Sequence, residues 1–251
     1  MQDIYIGDEG KGFPLVLIHG FLGSSKMWGP QIDFFKKNFR VITPDLPGFG
    51  KSTHIKSHDS ILSLANLILD CLKNKQINKF YLLGHSMGGM IVQEMAKIYG
   101  DKISKLIFYS TGPIGEMPDR FETMDESRDN IKKIGFESTA RNIAKTWFIL
   151  SEKAKYFDLC IQVGKETTVD AVDNALIAMK EYNGTNNLKF IKNETLIIWG
   201  DKDKSYNYKQ IQTLKENISN SSLVIFKECA HNIHLEKIEE FNKTVQNFLN
   251  K

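Results

Sequence analysis

Short runs of apolar and β-branched residues, each bounded by turn residues, recur at 15–18, 40–43, 80–83, 105–109, 195–199 and 223–226. Between them lie helical patterns: Ile61, Leu64, Ala65, Ile68 and Leu72; the segment after Ser86; and Phe241, Val245, Phe248 and Leu249 near the C-terminus. A strand buried on both faces reads as a continuous apolar run. Its alternation with helices therefore predicts an α/β fold, a mostly parallel central sheet with helices on both faces. Residues 4–6 and the Gly10-Lys11-Gly12 turn suggest a small leading hairpin.

One connection breaks the rhythm. Residues 111–194 separate two of the runs, although a parallel crossover needs only about a dozen residues. The stretch reads as helical, with Ala140, Ile143, Ala144, Trp147 and Phe148 on one face of one helix and Val169, Val172, Leu176 and Met179 on another. Residues 1–112 and 191–251 are accordingly expected to form the core, and 113–190 a helical cap. The apolar and aromatic side chains of the insert, Met117, Phe121, Met124, Trp147, Phe148, Met179 and Tyr182, are expected more often in helix core than on a substrate wall.

Charge and cysteine content exclude several function classes. The 33 basic and 30 acidic residues are scattered, giving a net charge of +3 without the clustered stripe that would follow a row of phosphates. No nucleic-acid partner is expected. The longest apolar runs fall far short of the roughly 20 residues a membrane helix needs, so no membrane partner is expected. Cys71, Cys160 and Cys229 are an odd number without CxxC spacing, which indicates neither a disulfide framework nor a zinc site. The N-terminus shows no signal pattern, making a cytoplasmic protein the expectation. Only four of the cations are Arg, which implies little capacity for bidentate carboxylate clamps. Nothing in the sequence fixes an oligomeric state.

The strongest chemical signal is Gly84-His85-Ser86-Met87-Gly88, a Gly-x-Ser-x-Gly between a strand-like run and a helical one. A sharp strand-to-helix turn there would strain the serine and expose its hydroxyl, while glycines on either side let neighbouring backbone pass. The plainer reading is a turn whose serine caps a helix. Taken with the flanking elements, the motif resembles the nucleophile turn of the α/β-hydrolase family. Residues 15–25, centred on His19-Gly20-Phe21-Leu22-Gly23, resemble that family's oxyanion turn, and Asp45-Leu46-Pro47-Gly48-Phe49-Gly50 its following glycine-rich turn. All three lie at C-terminal ends of predicted strands, the edge at which open parallel sheets bind ligands.

The resemblance implies Ser86 as nucleophile, Asp203 rather than Asp201 as the acid, and His231 rather than His234 as the base. It also implies the backbone N–H groups of Phe21 and Met87 as the oxyanion hole, and Leu22, Trp147 and Phe148 as substrate contacts. His19 is expected to brace the oxyanion turn, His54 and His58 to be solvated, and His85 to point away from the hydroxyl. No metal or other cofactor is implied. Within the family, a serine nucleophile argues against the epoxide hydrolase and haloalkane dehalogenase branches, and residues 86–93 resemble 3-oxoadipate enol-lactonases and small carboxylesterases. A small-molecule ester or lactone is therefore the expected substrate. A carbon-carbon bond hydrolase, a relative of the menaquinone-pathway synthases, and a non-catalytic ligand receptor on the same fold stay open as alternatives.

Overall fold

The protein is described from a computed structural model, which covers residues 3–116 and 120–251. In chain order the strands and helices are β1 (Ile6–Glu9), β2 (Phe13–Ile18), α1 (Gly29–Phe35), β3 (Phe39–Pro44), α2 (Ile61–Asn74), β4 (Phe80–His85), α3 (Met87–Tyr99) and β5 (Ile103–Tyr109). The insert follows with α4 (Met124–Ile134), α5 (Phe136–Lys145), α6 (Phe157–Lys165) and α7 (Val169–Glu181). The chain then closes with β6 (Thr195–Gly200), α8 (Tyr208–Asn217), β7 (Ser221–Phe226), α9 (Ile233–Glu236) and α10 (Ile238–Leu249).

Among the described residues the strands form one seven-stranded sheet in the order β1-β3-β2-β4-β5-β6-β7. All pairings are parallel except β1 with β3. The leading hairpin expected from the sequence does not form, because β1 passes β2 and pairs antiparallel with β3, Ile6 opposite Pro44. β2 is occupied on both edges, by β3 and by β4, so the short first strand takes the outer edge of the neighbouring β3.

Alternation along each strand sends side chains to opposite faces, and two cores result. Val16, Ile18, Leu82, Phe108 and Ile197 pack with α2, α3 and α8, whereas Leu15, Leu17, Leu83, Ile107 and Ile198 pack with α1 and α10 through Phe35, Phe241 and Val245. Each such side chain contributes about 1.5–3 kcal/mol by leaving water. Both faces are thereby covered, and only the strand ends remain to build a site.

The insert begins beyond the C-terminal end of β5 and returns before β6. α4 starts with a capping box, Thr123 Oγ1 accepting from the Glu126 N–H while the Glu126 carboxylate accepts from the Thr123 N–H. The insert is tied to the core where the Thr168 N–H donates to the Gly48 carbonyl at 3.0 Å and the Asn232 N–H to the Trp147 carbonyl at 3.0 Å. Two arginine clamps do form despite the scarcity of Arg, Arg40 on Asp8 and Arg128 on Asp173, each with two N–H···O bonds. Among the described residues, no helix is long and apolar enough to cross a membrane.

Candidate active site

Ser86 sits between β4 and α3 with φ 55° and ψ −120°, a conformation that costs a non-glycine residue about 1–3 kcal/mol. Its surroundings hold it there. The Ser86 N–H donates to the Tyr109 carbonyl at 3.0 Å, extending the β4–β5 ladder past its end, and Thr111 Oγ1 donates to the Ser86 carbonyl at 2.8 Å. The two flanking glycines are sterically required: a Cβ on Gly84 would meet the Gly88 carbonyl oxygen at 2.3 Å, and one on Gly88 the Ile18 carbonyl oxygen at 2.4 Å. Any side chain at either position would push α3 off the sheet.

The turn after β2 runs directly beside Ser86, since a Cβ on Gly20 would lie 3.0 Å from the Ser86 Cβ. His19 braces this turn. Its Nε2 accepts from the Leu46 N–H at 3.0 Å, so its Nδ1 carries the proton and donates to the Gly20 carbonyl at 2.8 Å. Asp45 ties the same turn to the one after β3, accepting from the Ser25 N–H at 2.6 Å and the Lys51 N–H at 2.8 Å. Phe21 and Met87 flank Ser86, and among the described residues neither backbone N–H has a protein acceptor.

Asp203 and His231 meet as the sequence reading expects. The Asp203 carboxylate is fully buried; Oδ1 accepts from the N–H groups of Ser205 (2.7 Å) and Tyr206 (3.2 Å), and Oδ2 faces His231 Nδ1 at 2.9 Å. With Oδ2 as the acceptor, His231 Nδ1 is the donor and Nε2 is left as the ring's acceptor nitrogen. Asp201 is engaged elsewhere, 3.8 Å from Lys227 Nζ at the surface. The loop that carries His231 is fixed by Glu236, which accepts from the Ala230 N–H and, across the gap to the insert, from the Ile149 N–H, both at 2.7 Å.

The other histidines occupy different settings, and His58 is less solvated than its polar loop implies. His54 is exposed and His58 half-buried against Ser63 Oγ. His85 stacks on Tyr109 at 4.4 Å, 23° from parallel, and burial drives its pKa well below the ordinary imidazole value. His234 lies beneath the site, its pKa pushed down to about 3 by burial. Its tautomer follows from its partners. The single Tyr109 hydroxyl proton goes to the His231 carbonyl at 3.0 Å, so His234 Nδ1, 2.9 Å from the Tyr109 oxygen, must donate.

Ser86 and His231 open into one small cavity of about 30 Å³, walled by the oxyanion turn, by Trp28, Ser205, Tyr206 and Asn232, and by Arg120, Met124, Ile143, Trp147 and Met179 of the insert. Two expected contacts are not part of it. α5 stops at Lys145 because Thr146 directs both its N–H and its hydroxyl to the Ile143 carbonyl. Trp147 and Phe148 therefore leave the helix instead of sharing its face. Trp147 turns to the cavity, while Phe148 turns to a surface groove beside Tyr156 and Leu235. Leu22, at φ 54°, is buried beneath α6 next to Gly164 and does not wall the cavity. Of the other insert side chains, Phe121 and Tyr182 pack in the core, and Met117 lies outside the described residues.

Tyr206 escapes a reading of the sequence. Its ring stacks on His231 at 5.9 Å and 16°, its hydroxyl approaches the side chains of Ser86 and Thr111, and burial pushes its pKa up to about 12. Its only local signal is an aromatic three residues after the acid.

A serine after β4, a carboxylate after β6 and an imidazole after β7, all at one sheet edge beside the Phe21 and Met87 N–H groups, are the parts that acyl transfer requires. Comparison with known proteins agrees with the fold. An esterase from Exiguobacterium antarcticum is 25% identical and superposes with a TM-score of 0.91 over 99% of this chain and 96% of its own. An enol-lactonase from Burkholderia xenovorans is 22% identical with a TM-score of 0.88, over 99% and 96% of the two chains. The Pseudomonas putida 2-hydroxy-6-oxononadienedioate/2-hydroxy-6-oxononatrienedioate hydrolase 1 is 28% identical over 98% of this chain and 92% of its own. The description of the alpha/beta hydrolase fold matches residues 14–238, and the chain belongs to that family.

Proposed function

We propose that the protein is a serine hydrolase that cleaves a small carboxylic ester or lactone through an acyl-enzyme. The observation that carries the reading is the buried Asp203–His231 pair, 2.9 Å apart, facing the cavity that holds Ser86 in its strained turn. Ser86 Oγ attacks the acyl carbonyl and His231 Nε2 takes its proton, while Asp203 fixes the tautomer and stabilises the imidazolium. The tetrahedral oxyanion is received by the N–H groups of Met87 and Phe21, worth about 3 kcal/mol each in the barrier. Collapse breaks the bond to the leaving oxygen, which takes the proton from His231. Water, deprotonated by the same nitrogen, then releases the acid.

In this reading residues 113–190 are a cap, and the cap sets chain length. Met124, Ile143, Trp147 and Met179 reach the cavity from the insert, and a site walled over in this way suits a short acyl group better than a fatty one, which needs an open apolar trough. The 25% identity to an esterase supports the choice of bond. The test is kcat/KM over acyl lengths from acetate to palmitate together with enol and saturated lactones. A maximum at short esters or lactones is expected. A maximum at palmitate would remove the closed cap, and turnover confined to a vinylogous diketone would move the reading to carbon-carbon bond cleavage.

A further inference from the structure

Three of the four arginines are paired with carboxylates: Arg40 with Asp8, Arg128 with Asp173, and Arg141 with Glu152 at 3.0 Å. Arg120 is not. It is half-buried at the cavity wall that also holds Ser86 and His231, and among the described residues no carboxylate lies within ion-pair distance of its guanidinium. Its protein acceptor is the Glu122 carbonyl, which takes one of five N–H donors. Two of the three acidic residues that act on it are already engaged. Glu122 accepts from Ser127 Oγ and Asn130 Nδ2, and Asp203 from His231 and two backbone N–H groups. Burial lowers the pKa of the guanidinium from its ordinary value, as it does for a cation taken from water without a paired anion.

A second observation is independent of Arg120. Trp28 Nε1 and Asn232 Oδ1, both buried in walls of the same cavity, make no hydrogen bond to a described residue. The cavity thus combines a partly buried cation, held by the Glu122 carbonyl and lying over the Phe121 ring at 4.5 Å but without a paired carboxylate among the described residues, with an N–H donor and an amide oxygen that have no described partner. The guanidinium and the Trp28 N–H suit charged oxygens on a ligand, and the Asn232 amide oxygen a ligand O–H or N–H. We propose that the substrate carries a carboxylate in addition to the scissile ester or lactone, and that Arg120 receives it. Glu116, Glu122 and Asp203, which act on the guanidinium from a distance, would repel the same carboxylate. Discrimination therefore depends on a direct N–H···O contact rather than on a diffuse positive field.

The proposal rests on the hydrolase reading and is tested so that the two can fail separately. Two matched pairs of esters are compared: p-nitrophenyl hydrogen glutarate against p-nitrophenyl valerate, with the charge on the acyl side, and 4-carboxyphenyl butyrate against phenyl butyrate, with the charge on the leaving side. In at least one pair the anionic member is expected to win by about 10- to 100-fold in kcat/KM, mostly through KM, as one charged hydrogen-bonded contact implies. Arg120→Gln should erase that ratio and Arg120→Lys should keep part of it. Neutral esters preferred or equal in both pairs, or a ratio unchanged in Arg120→Gln, overturns the assignment. If no ester is turned over, the hydrolase reading fails, and calorimetric titration of glutarate into wild type and Arg120→Gln still decides the carboxylate site: binding lost in the variant supports it, and equal binding or none overturns it. Thermal unfolding of each variant separates a lost contact from a lost fold.

Discussion

Lowering the pH from 7.5 to 5.0 should destabilise this protein steeply, and the reason is the pair of buried neutral histidines under the active site. His234 is held at a pKa of about 3 and His85 well below the ordinary 6.5, in both cases chiefly because burial penalises the charged ring, with neighbouring histidines adding to the effect. The unfolded chain binds these protons below about pH 6.5 and the folded chain does not. Each ring therefore contributes stability that is complete above 6.5 and is lost as pH falls toward the folded value. At pH 5.0 the unfolded His234 imidazole gains about 2 kcal/mol by protonation that the folded ring does not, a large part of a total of roughly 5–15, and His85 acts in the same direction. His19, whose pKa is also lowered by burial against an opposing pull from Asp45, acts in the same direction.

The assay is urea unfolding at the two pH values for wild type and His234→Asn. With a slope of about 2–3 kcal/mol per molar urea, the His234 contribution alone should lower the wild-type midpoint by about 0.7–1 M. Asn keeps a donor near the Tyr109 hydroxyl but cannot take up the proton. The variant loses ring packing against Trp28 and Phe241, which lowers its stability equally at both pH values. Its drop between them should shrink by about 2 kcal/mol. An equal drop in both proteins, or no drop in wild type, refutes the neutral-histidine explanation.

The remaining expectations concern turnover. Asp203→Asn should lower kcat by about 10⁴ through the wrong imidazole tautomer, whereas Asp201→Asn should stay within a few-fold of wild type; equal losses, measured on a chromogenic butyrate, would break the assignment of the acid. Trp147→Ala opens the wall that the insert places beside His231, with ring centroids 6.3 Å apart in wild type, and should raise relative activity on octanoyl over acetyl esters. An unchanged chain-length profile would remove Trp147 from the substrate wall.

The strands and the turn that holds Ser86 were legible in the sequence because both rest on local rules. A run such as 195–199 is buried on both faces, and a glycine on either side of Ser86 is demanded by the turn itself. What escaped depends on distant neighbours. β1 pairs with β3 because β2 has no free edge, a fact of sheet order. α4 carries few apolar residues and α6 spans only 157–165, so neither shows a sustained period. Phe148 continues the apolar spacing of α5 on paper, yet Thr146 ends the helix before it. Tyr206 and Arg120 lie in connections without periodicity, and only folding brings them to Ser86 and His231.

The most direct measurement is covalent capture of the nucleophile. A fluorophosphonate incubated with the protein should add one phosphonyl group, found by peptide mass spectrometry on Ser86. Ser86→Ala should take up none and lose on the order of 10⁴- to 10⁶-fold in kcat while unfolding at the wild-type temperature. A label on another residue, or a folded Ser86→Ala protein that keeps more than a few per cent of the activity, would contradict the acyl-enzyme mechanism.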